Sequence, residues 1–179
     1  GDVIWQGEGD GKITAKLKNL IIPKSKDKSE PVAKNEIKRL SKEYPALDLV
    51  VDNFEIGEKK LGALSVNAYE NGDAWEIQKL NISNSDFVLT GDGTWHNWTR
   101  NPNTAFKFNL QVDNIGKSLK RFGQADAVKG GKATITGELR WPGSPHEFET
   151  SGLSGNFKLN AEKGQIVKVQ PGVGRLLGL

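Results

Sequence analysis

A seven-residue pattern occurs three times in this chain, at residues 89–95 (LTGDGTW), 135–141 (ITGELRW) and 153–159 (LSGNFKL). Because side chains alternate across a strand, the first, third, fifth and seventh positions of each copy share one face, and the other face is polar in every copy. A glycine at the same inward position removes bulk where a sheet can bend. The repeat therefore predicts a sheet curved around an apolar concavity. Three ordinary strands whose glycines mark bulges over a normal core remain the alternative.

The length and composition limit the class of protein. A chain of 179 residues suits one domain, or one piece of a longer protein. Cysteine is absent, so neither a disulfide framework nor a thiolate metal site can form. No apolar run approaches the ~20 residues that span a bilayer, and the first residues do not resemble a signal peptide. We therefore expect one soluble domain, or a soluble fragment of a longer β-groove protein whose anchor lies elsewhere.

The net charge of +3 is unevenly distributed along the chain. Between Lys12 and Lys42 there are ten basic and three acidic residues, a balance of +7 that leaves −4 for the rest. Such asymmetry can mark contact with nucleic acid or anionic lipid, but it more often belongs to a solvated surface. Because no aromatic residues are interleaved there for base stacking, we expect no nucleic-acid partner.

Two short helices are predicted. Residues 23–45 have the composition of a basic loop followed by an amphipathic helix that Ser29 caps, and together they form an insertion between strands. A second helix is predicted after Asp113 or Asn114, with apolar residues on one face and Gly123 at its end.

Alternating apolar residues predict strands along most of the remaining chain. The alternation changes phase between Ile77 and Leu80, which predicts a bulge there. Residues 130–131 and 162–164 have turn composition. Since no long crossovers are expected, the simplest topology is a curved, U-shaped antiparallel sheet with an open groove, in which consecutive strands pair.

The alternation also selects the residues that should line the groove. Each is apolar and lies between polar neighbours along its strand. The predicted lining is Leu64, Val66, Trp75, Leu89, Trp95, Phe106, Phe108, Leu110, Ile135, Leu139, Trp141, Phe157 and Leu159.

No catalytic or metal-binding pattern is present in the sequence. His96 and His146 have no histidine partner at helical spacing, so a histidine metal site is not expected. There is no Gly-x-Ser-x-Gly elbow, no cysteine nucleophile and no glycine loop followed by Gly-Lys-Ser or Gly-Lys-Thr. We therefore expect neither enzymatic activity nor a cofactor.

Six motifs together resemble one known family. They are residues 45–51 (PALDLVV), 60–64 (KLGAL), 89–95 (LTGDGTW), 128–132 (VKGGK), 139–145 (LRWPGSP) and 164–179 (GQIVKVQPGVGRLLGL). On these motifs the chain is similar to the C-terminal region of AsmA-like envelope proteins of Gram-negative bacteria over roughly residues 45–179. The resemblance is most specific in the last fifty residues, where several motifs occur in order.

The resemblance implies a function as well as a fold. Such proteins are held in the inner membrane by an N-terminal helix and extend through the periplasm as a long β groove that moves phospholipid to the outer membrane. This chain would then be a periplasmic part of such a bridge. Its expected partners are phospholipid acyl chains, neighbouring segments of the full-length protein, and other envelope proteins. The resemblance implies no catalytic residues in this sequence.

Two other functions compete with lipid transport. A structural or protein-docking β module of the cell envelope would have the same pattern if its concavity were filled by its own side chains. The second alternative is an enzyme that acts on envelope lipid or glycan. Sequence alone does not separate an open groove from a filled one.

Overall fold

The computed structural model describes residues 1–7, 11–23, 44–72, 74–97, 99, 101–123, 128–145 and 152–166. These residues contain nine strands and one helix. The bounds are β1 Asp2–Gln6, β2 Lys12–Ile22, β3 Ala46–Ile56, β4 Lys59–Asn71, β5 Ala74–Ser83, β6 Phe87–His96, β7 Asn103–Val112, α1 Ile115–Arg121, β8 Val128–Pro142 and β9 Ser154–Ile166.

All nine strands belong to a single sheet whose order follows the chain, from β1 at one edge to β9 at the other. The edge strands do not pair with each other, so the sheet is open rather than closed into a barrel. Apolar residues from β2 to β8 pack into one cluster with Ile115 of α1. The prediction of a mainly β, open sheet is confirmed.

One strand pair departs from the predicted topology. β2 and β3 run parallel, with Ala15 opposite Leu49, whereas every other neighbouring pair is antiparallel. A parallel return needs a connection of a dozen residues or more, and the chain between Ile22 and Ala46 is long enough to provide one. The expectation that no long crossover exists was wrong here. The first predicted helix and most of the basic insertion at 23–45 lie outside the described residues.

The second predicted helix is confirmed as α1. The side chain of Asn114 accepts a hydrogen bond from the backbone N–H of Lys117 at 2.9 Å, which caps the first turn. Phe122 ends the helix, and Gly123 follows with a φ of +84° that suits glycine. Asn114 is thus the cap, and Gly123 is the stop.

Two predicted turns proved to be strand. β8 includes residues 130–131 and β9 continues through residues 162–164, with Gly130 directly opposite Gly164. Because the two glycine-containing segments pair with each other, each continues the ladder instead of reversing the chain, and the register does not shift there. Gly130 and Gly131 have positive φ values, which glycine adopts without strain.

The buried core lies at one end of the strands, beneath α1. Partly buried residues, including Leu17, Leu110 and Ile115, pack around it. Its buried members are Val51, Phe54, Leu61, Leu64, Ile82, Phe87, Val112 and Ala133. The rest of the same sheet face has no comparable buried cluster among the described residues. This less covered part of the face is the candidate site.

Candidate functional site: an apolar trough

Cross-strand pairing aligns the inward side chains of the sheet into rows that run perpendicular to the strands. Residues directly opposite each other in a ladder point to the same face, so a row can be followed from strand to strand. The leucine row comprises Leu17, Val51, Leu64, Ile82, Leu89, Leu110, Ile135 and Leu159. The Phe108 row comprises Val3, Ala15, Leu49, Val66, Leu80, Gly91, Phe108, Gly137 and Phe157.

Two further rows complete the apolar face. The Phe106 row comprises Trp5, Ile13, Leu47, Ala68, Ile77, Gly93, Phe106, Leu139 and Gly155. The tryptophan row comprises Trp75, Trp95, Thr104 and Trp141. We call this face the apolar trough. The helix-side wall is its border at the β3–β4 turn, the β5–β6 turn and α1, and the tryptophan-side wall is the opposite border.

All thirteen residues of the predicted lining lie on this face, but they are not equally accessible. Leu64 and Trp141 are buried, with 6% and 7% of their surface exposed. Phe157 and Leu159 on the edge strand β9 are exposed, and the other nine are half-buried. Other members of the rows are also buried, namely Ala15, Val51, Ala68, Ile77, Ile82 and Thr104, so the trough is packed at these positions and at Leu64 and Trp141, and more accessible between them. That these side chains line a lipid path stays a prediction.

The glycines of the sequence repeat lie where the next strand approaches closely. A methyl group at Gly93 would lie 2.8 Å from the Phe106 ring, and Gly91 is crowded by the same ring. The Phe106 ring therefore lies across both glycines, an arrangement known to stabilise glycine-containing strands. A methyl group at Gly137 would instead meet Cβ of Phe157 at 2.8 Å, and one at Gly155 would meet the backbone of Glu138 and Leu139.

Replacing Gly91 by alanine should destabilise the sheet. The new methyl group would meet the Phe106 ring and the carbonyl oxygen of Lys107, a backbone atom that cannot move aside. We expect a loss of about 1–3 kcal/mol, or about 3–10 °C in melting temperature. Gly7→Ala is the control, since the nearest atoms to a methyl there belong to the Trp5 side chain, at 3.2 Å or more. Equal melting of the two variants would contradict the close-approach role of Gly91.

The helix-side wall is fixed by a charged pair that joins α1 to the sheet. Arg121 donates from Nε and a terminal nitrogen to Oδ2 of Asp86, the first at 3.1 Å, and its other terminal nitrogen donates to the carbonyl of Lys60 at 3.0 Å. The Asp86 side chain is only 7% exposed. The hydrogen bonds from Arg121 hold the pKa of Asp86 below its ordinary value, against the opposing effect of burial.

Phe87 and Phe122 add an apolar contact to the same wall. Their rings stack with centroids 6.0 Å apart, and Phe122 remains 46% exposed. The β5–β6 turn is held by Asn84, whose side chain accepts from the backbone N–H of Asp86 at 2.8 Å and donates to the carbonyl of Leu61 at 2.8 Å. One wall of the trough is thus rigidly built from α1 and two turns.

Aromatic residues form the tryptophan-side wall. The Tyr44 and Trp95 rings meet edge-on with centroids 4.7 Å apart, and Trp75 and Trp95 do so at 6.5 Å. Nε1 of Trp75 donates to the carbonyl of Pro45 at 3.3 Å. Because large rigid rings expose apolar surface and keep a polar edge, they suit a border between an apolar trough and water.

No metal-binding cluster is found among the described residues. No group of three histidine, aspartate or glutamate side chains there is arranged to hold a metal ion. His96 is the last residue of β6, and His146 lies outside the described residues. The described chain also contains no helix that could cross a membrane.

The structure thus has the architecture of a β-groove protein, an open sheet with an apolar face. The chain belongs to the YhdP protein family, whose model matches residues 1–179. The family match includes residues 1–44, which carried no motif of the resemblance, so β1 and β2 also belong to the family pattern. No curated protein matches the chain, and no solved structure does either.

Several trough residues were absent from the predicted lining. Leu49, Leu80 and Ile82 occupy the same rows as the predicted residues. Their alternation was visible in the sequence, but their alignment with the repeat strands depends on the register. Tyr44 could not be assigned to the tryptophan-side wall from any local pattern.

Proposed function

We propose that the chain carries the acyl chains of phospholipids along the apolar trough, as one section of a bridge between the inner and outer membranes. The observation that carries this proposal is the unbroken series of apolar rows, which crosses every strand of the sheet while most of its side chains stay partly exposed. A single-layer sheet in water gains nothing from exposing such a face, so the face is expected to have an occupant.

The energetics favour an acyl chain as the occupant. Each methylene group removed from water contributes about 0.8 kcal/mol, so several methylenes suffice for useful binding. The rows repeat from strand to strand with similar side chains, which gives a lipid many near-equivalent positions. Similar positions imply low barriers between them, and the lipid can therefore slide along the trough.

Membership in the YhdP family supports an envelope protein, as the sequence resemblance implied. We place the chain in the periplasm, with the full-length protein anchored in the inner membrane and serving outer-membrane biogenesis. Neighbouring segments of that protein, and other envelope proteins, are its proposed macromolecular partners. We also propose that the chain catalyses no reaction, because no nucleophile, base and orienting group come together among the described residues.

The decisive experiment is native mass spectrometry of the purified chain. We expect phospholipid to co-purify and to dissociate from the protein in the gas phase as intact lipid. Extraction with detergent followed by incubation with phospholipid vesicles should restore the bound lipid. A chain that neither retains lipid nor reacquires it from vesicles would contradict the proposal and favour a docking module with a filled concavity. Turnover of the lipid that a single substitution abolishes would instead favour an enzyme.

A further inference from the structure

The two walls of the apolar trough differ in charge. On the helix-side wall, Lys59 begins β4, and α1 carries Lys117, Lys120 and Arg121. The described residues of the tryptophan-side turns, 69–72, 97, 99, 101–102, 143–145 and 152–153, include Glu70 but no lysine or arginine. Lys12, which begins β2 on the tryptophan side, lies 3.7 Å from Asp48, so among the described border residues the lysines that lack an ion pair are on the helix side.

Part of this positive charge has a structural partner. Arg121 pairs with Asp86, and Lys132 lies 3.7 Å from Asp113. Lys60 is opposite Glu55 in the register of β3 and β4, next to a carboxylate although they form no ion pair among the described residues. We do not assign a ligand to Arg121, Lys132 or Lys60.

Three lysines on this wall remain available. Lys59, Lys117 and Lys120 form no ion pair within the part of the chain that the structure describes. Glu58, at the β3–β4 turn, is exposed and likewise unpaired there. The three lysines therefore present uncompensated ammonium groups to a ligand.

The three lysines lie on or next to α1, with Lys117 in its first turn, Lys120 in its last turn and Lys59 beside its C-terminal end. Nζ of Lys59 lies 3.0 Å from where a Cβ would stand on Gly123, directly after the helix. Lys117 is close enough to Asp86 that its charge adds to the effect of Arg121 in lowering the pKa of that carboxyl. Lys120 is in the last turn of the helix.

An apolar surface adjoins the lysines. Phe122 follows Lys120 by two residues, is 46% exposed and stacks on Phe87, whose row borders the leucine row of the trough. Ammonium groups beside an apolar surface match a molecule with a phosphate joined to long alkyl chains. Lysine is a common phosphate ligand that acts as a point charge.

We propose that Lys59, Lys117 and Lys120 bind the phosphate of a phospholipid headgroup, so that headgroups travel along the helix-side wall while the acyl chains lie on the apolar rows. This inference rests on the proposed lipid-carrying function and adds an orientation to it. The lipid would be held sideways in the trough, with its headgroup on one border only.

The test compares two ligands that share acyl chains and differ in the phosphate. The purified chain is titrated at low salt with phosphatidylglycerol and with the diacylglycerol that lacks the headgroup. The variant carries Lys59→Gln, Lys117→Gln and Lys120→Gln. The matched control carries Lys16→Gln, Lys107→Gln and Lys158→Gln, three exposed lysines in strands whose side chains alternate with trough residues. Melting curves verify that all proteins are folded.

We expect the helix-side variant to bind phosphatidylglycerol at least about tenfold more weakly, because the attraction between the three ammonium groups and the anionic headgroup is lost. Diacylglycerol binding should not change, and the control variant should bind both ligands like the wild type. The difference should shrink at high salt because exposed charges are screened.

Each remaining outcome overturns the inference in a recognisable way. Unchanged phosphatidylglycerol binding by a folded variant removes the headgroup role and leaves the proposed function intact. Equal losses for both ligands indicate damage to the trough. Inorganic phosphate that binds the wild type as tightly as the lipid does indicates a free-phosphate site. If the wild type binds neither lipid, the proposed function fails together with this inference.

Discussion

Phe108→Asp should abolish phospholipid retention while the sheet stays folded. Phe108 lies in the middle of its row, between Gly91 and Gly137, and is half-buried. In the lipid-free protein a carboxylate there keeps contact with water. An acyl chain passing over it would have to remove that water, and an unpaired charge in an apolar environment is costly enough to weaken binding by ~10-fold or more.

Two matched substitutions make this result interpretable. Leu64→Asp places the same charge in the buried core, where only 6% of the side chain is exposed, and it should prevent folding. Thr136→Asp places it on the exposed polar face next to Ile135 and should change neither melting nor lipid retention. The three variants together separate an open trough from a core and from a general charge effect.

Melting curves and native mass spectrometry are the measurements, and outer-membrane lipid supply by the full-length protein carrying Phe108→Asp extends them to cells. If Phe108→Asp melts like Leu64→Asp, the trough is a filled core, and the docking-module alternative is favoured. If it melts and binds lipid like Thr136→Asp, Phe108 does not line the lipid path. Ile135→Asp should behave like Phe108→Asp, since Ile135 is similarly half-buried in the adjacent row.

The strands could be predicted because their pattern is local. Alternation along β7 and β8 places successive side chains on opposite faces whatever the neighbouring strand is. The same is true of the phase change between Ile77 and Leu80, where the β5–β6 register does shift. Predictions of this kind need only the geometry of one strand.

The errors arose where two distant segments decide the structure together. Gly130 and Gly164 each lie in a segment of turn composition, but 34 residues apart in sequence they lie opposite each other in the sheet. Likewise, β2 offers no local sign that β3 runs parallel to it. Pairing of this kind depends on the relative positions of whole strands, and no short pattern encodes it.

The same limit applies to the candidate site. The thirteen predicted lining residues share one face because alternation is local, whereas their accessibility depends on what covers them. Leu64 is buried in the cluster beside α1, while Val66, two residues later, is half-buried. The partnership of Asp86 and Arg121 across 35 residues was likewise invisible, although it builds one wall of the trough.

Removing the charge of Asp86 should release α1 from the sheet. Asp86→Asn keeps the shape of the side chain but leaves the Arg121 guanidinium, 26% exposed, without its carboxylate. A hydrogen bond to a charged partner contributes about 1.5–3 kcal/mol, so we expect the variant to melt about 4–10 °C lower at neutral pH. Lys132 and Asp113, both 72% exposed, provide the control pair, and Asp113→Asn should change little.

The pH dependence gives this prediction a definite sign. Arg121 lowers the pKa of Asp86 from the 3.8 expected of the unfolded chain, so the folded state favours the ionised carboxyl. The resulting stability is present in full above the unfolded pKa and is lost as the pH falls below it through the folded pKa. The wild type should therefore keep its advantage over Asp86→Asn from neutral pH down to the unfolded pKa and lose it progressively at lower pH, as measured by melting temperatures across that range.

Arg121→Gln tests the same pair from its other side, because it removes the guanidinium group. If Asp86 and Arg121 act together, the double variant should melt close to either single variant, and the coupling energy should vanish once Asp86 is protonated. Additive losses that persist at low pH would mean that each residue acts independently of the pair.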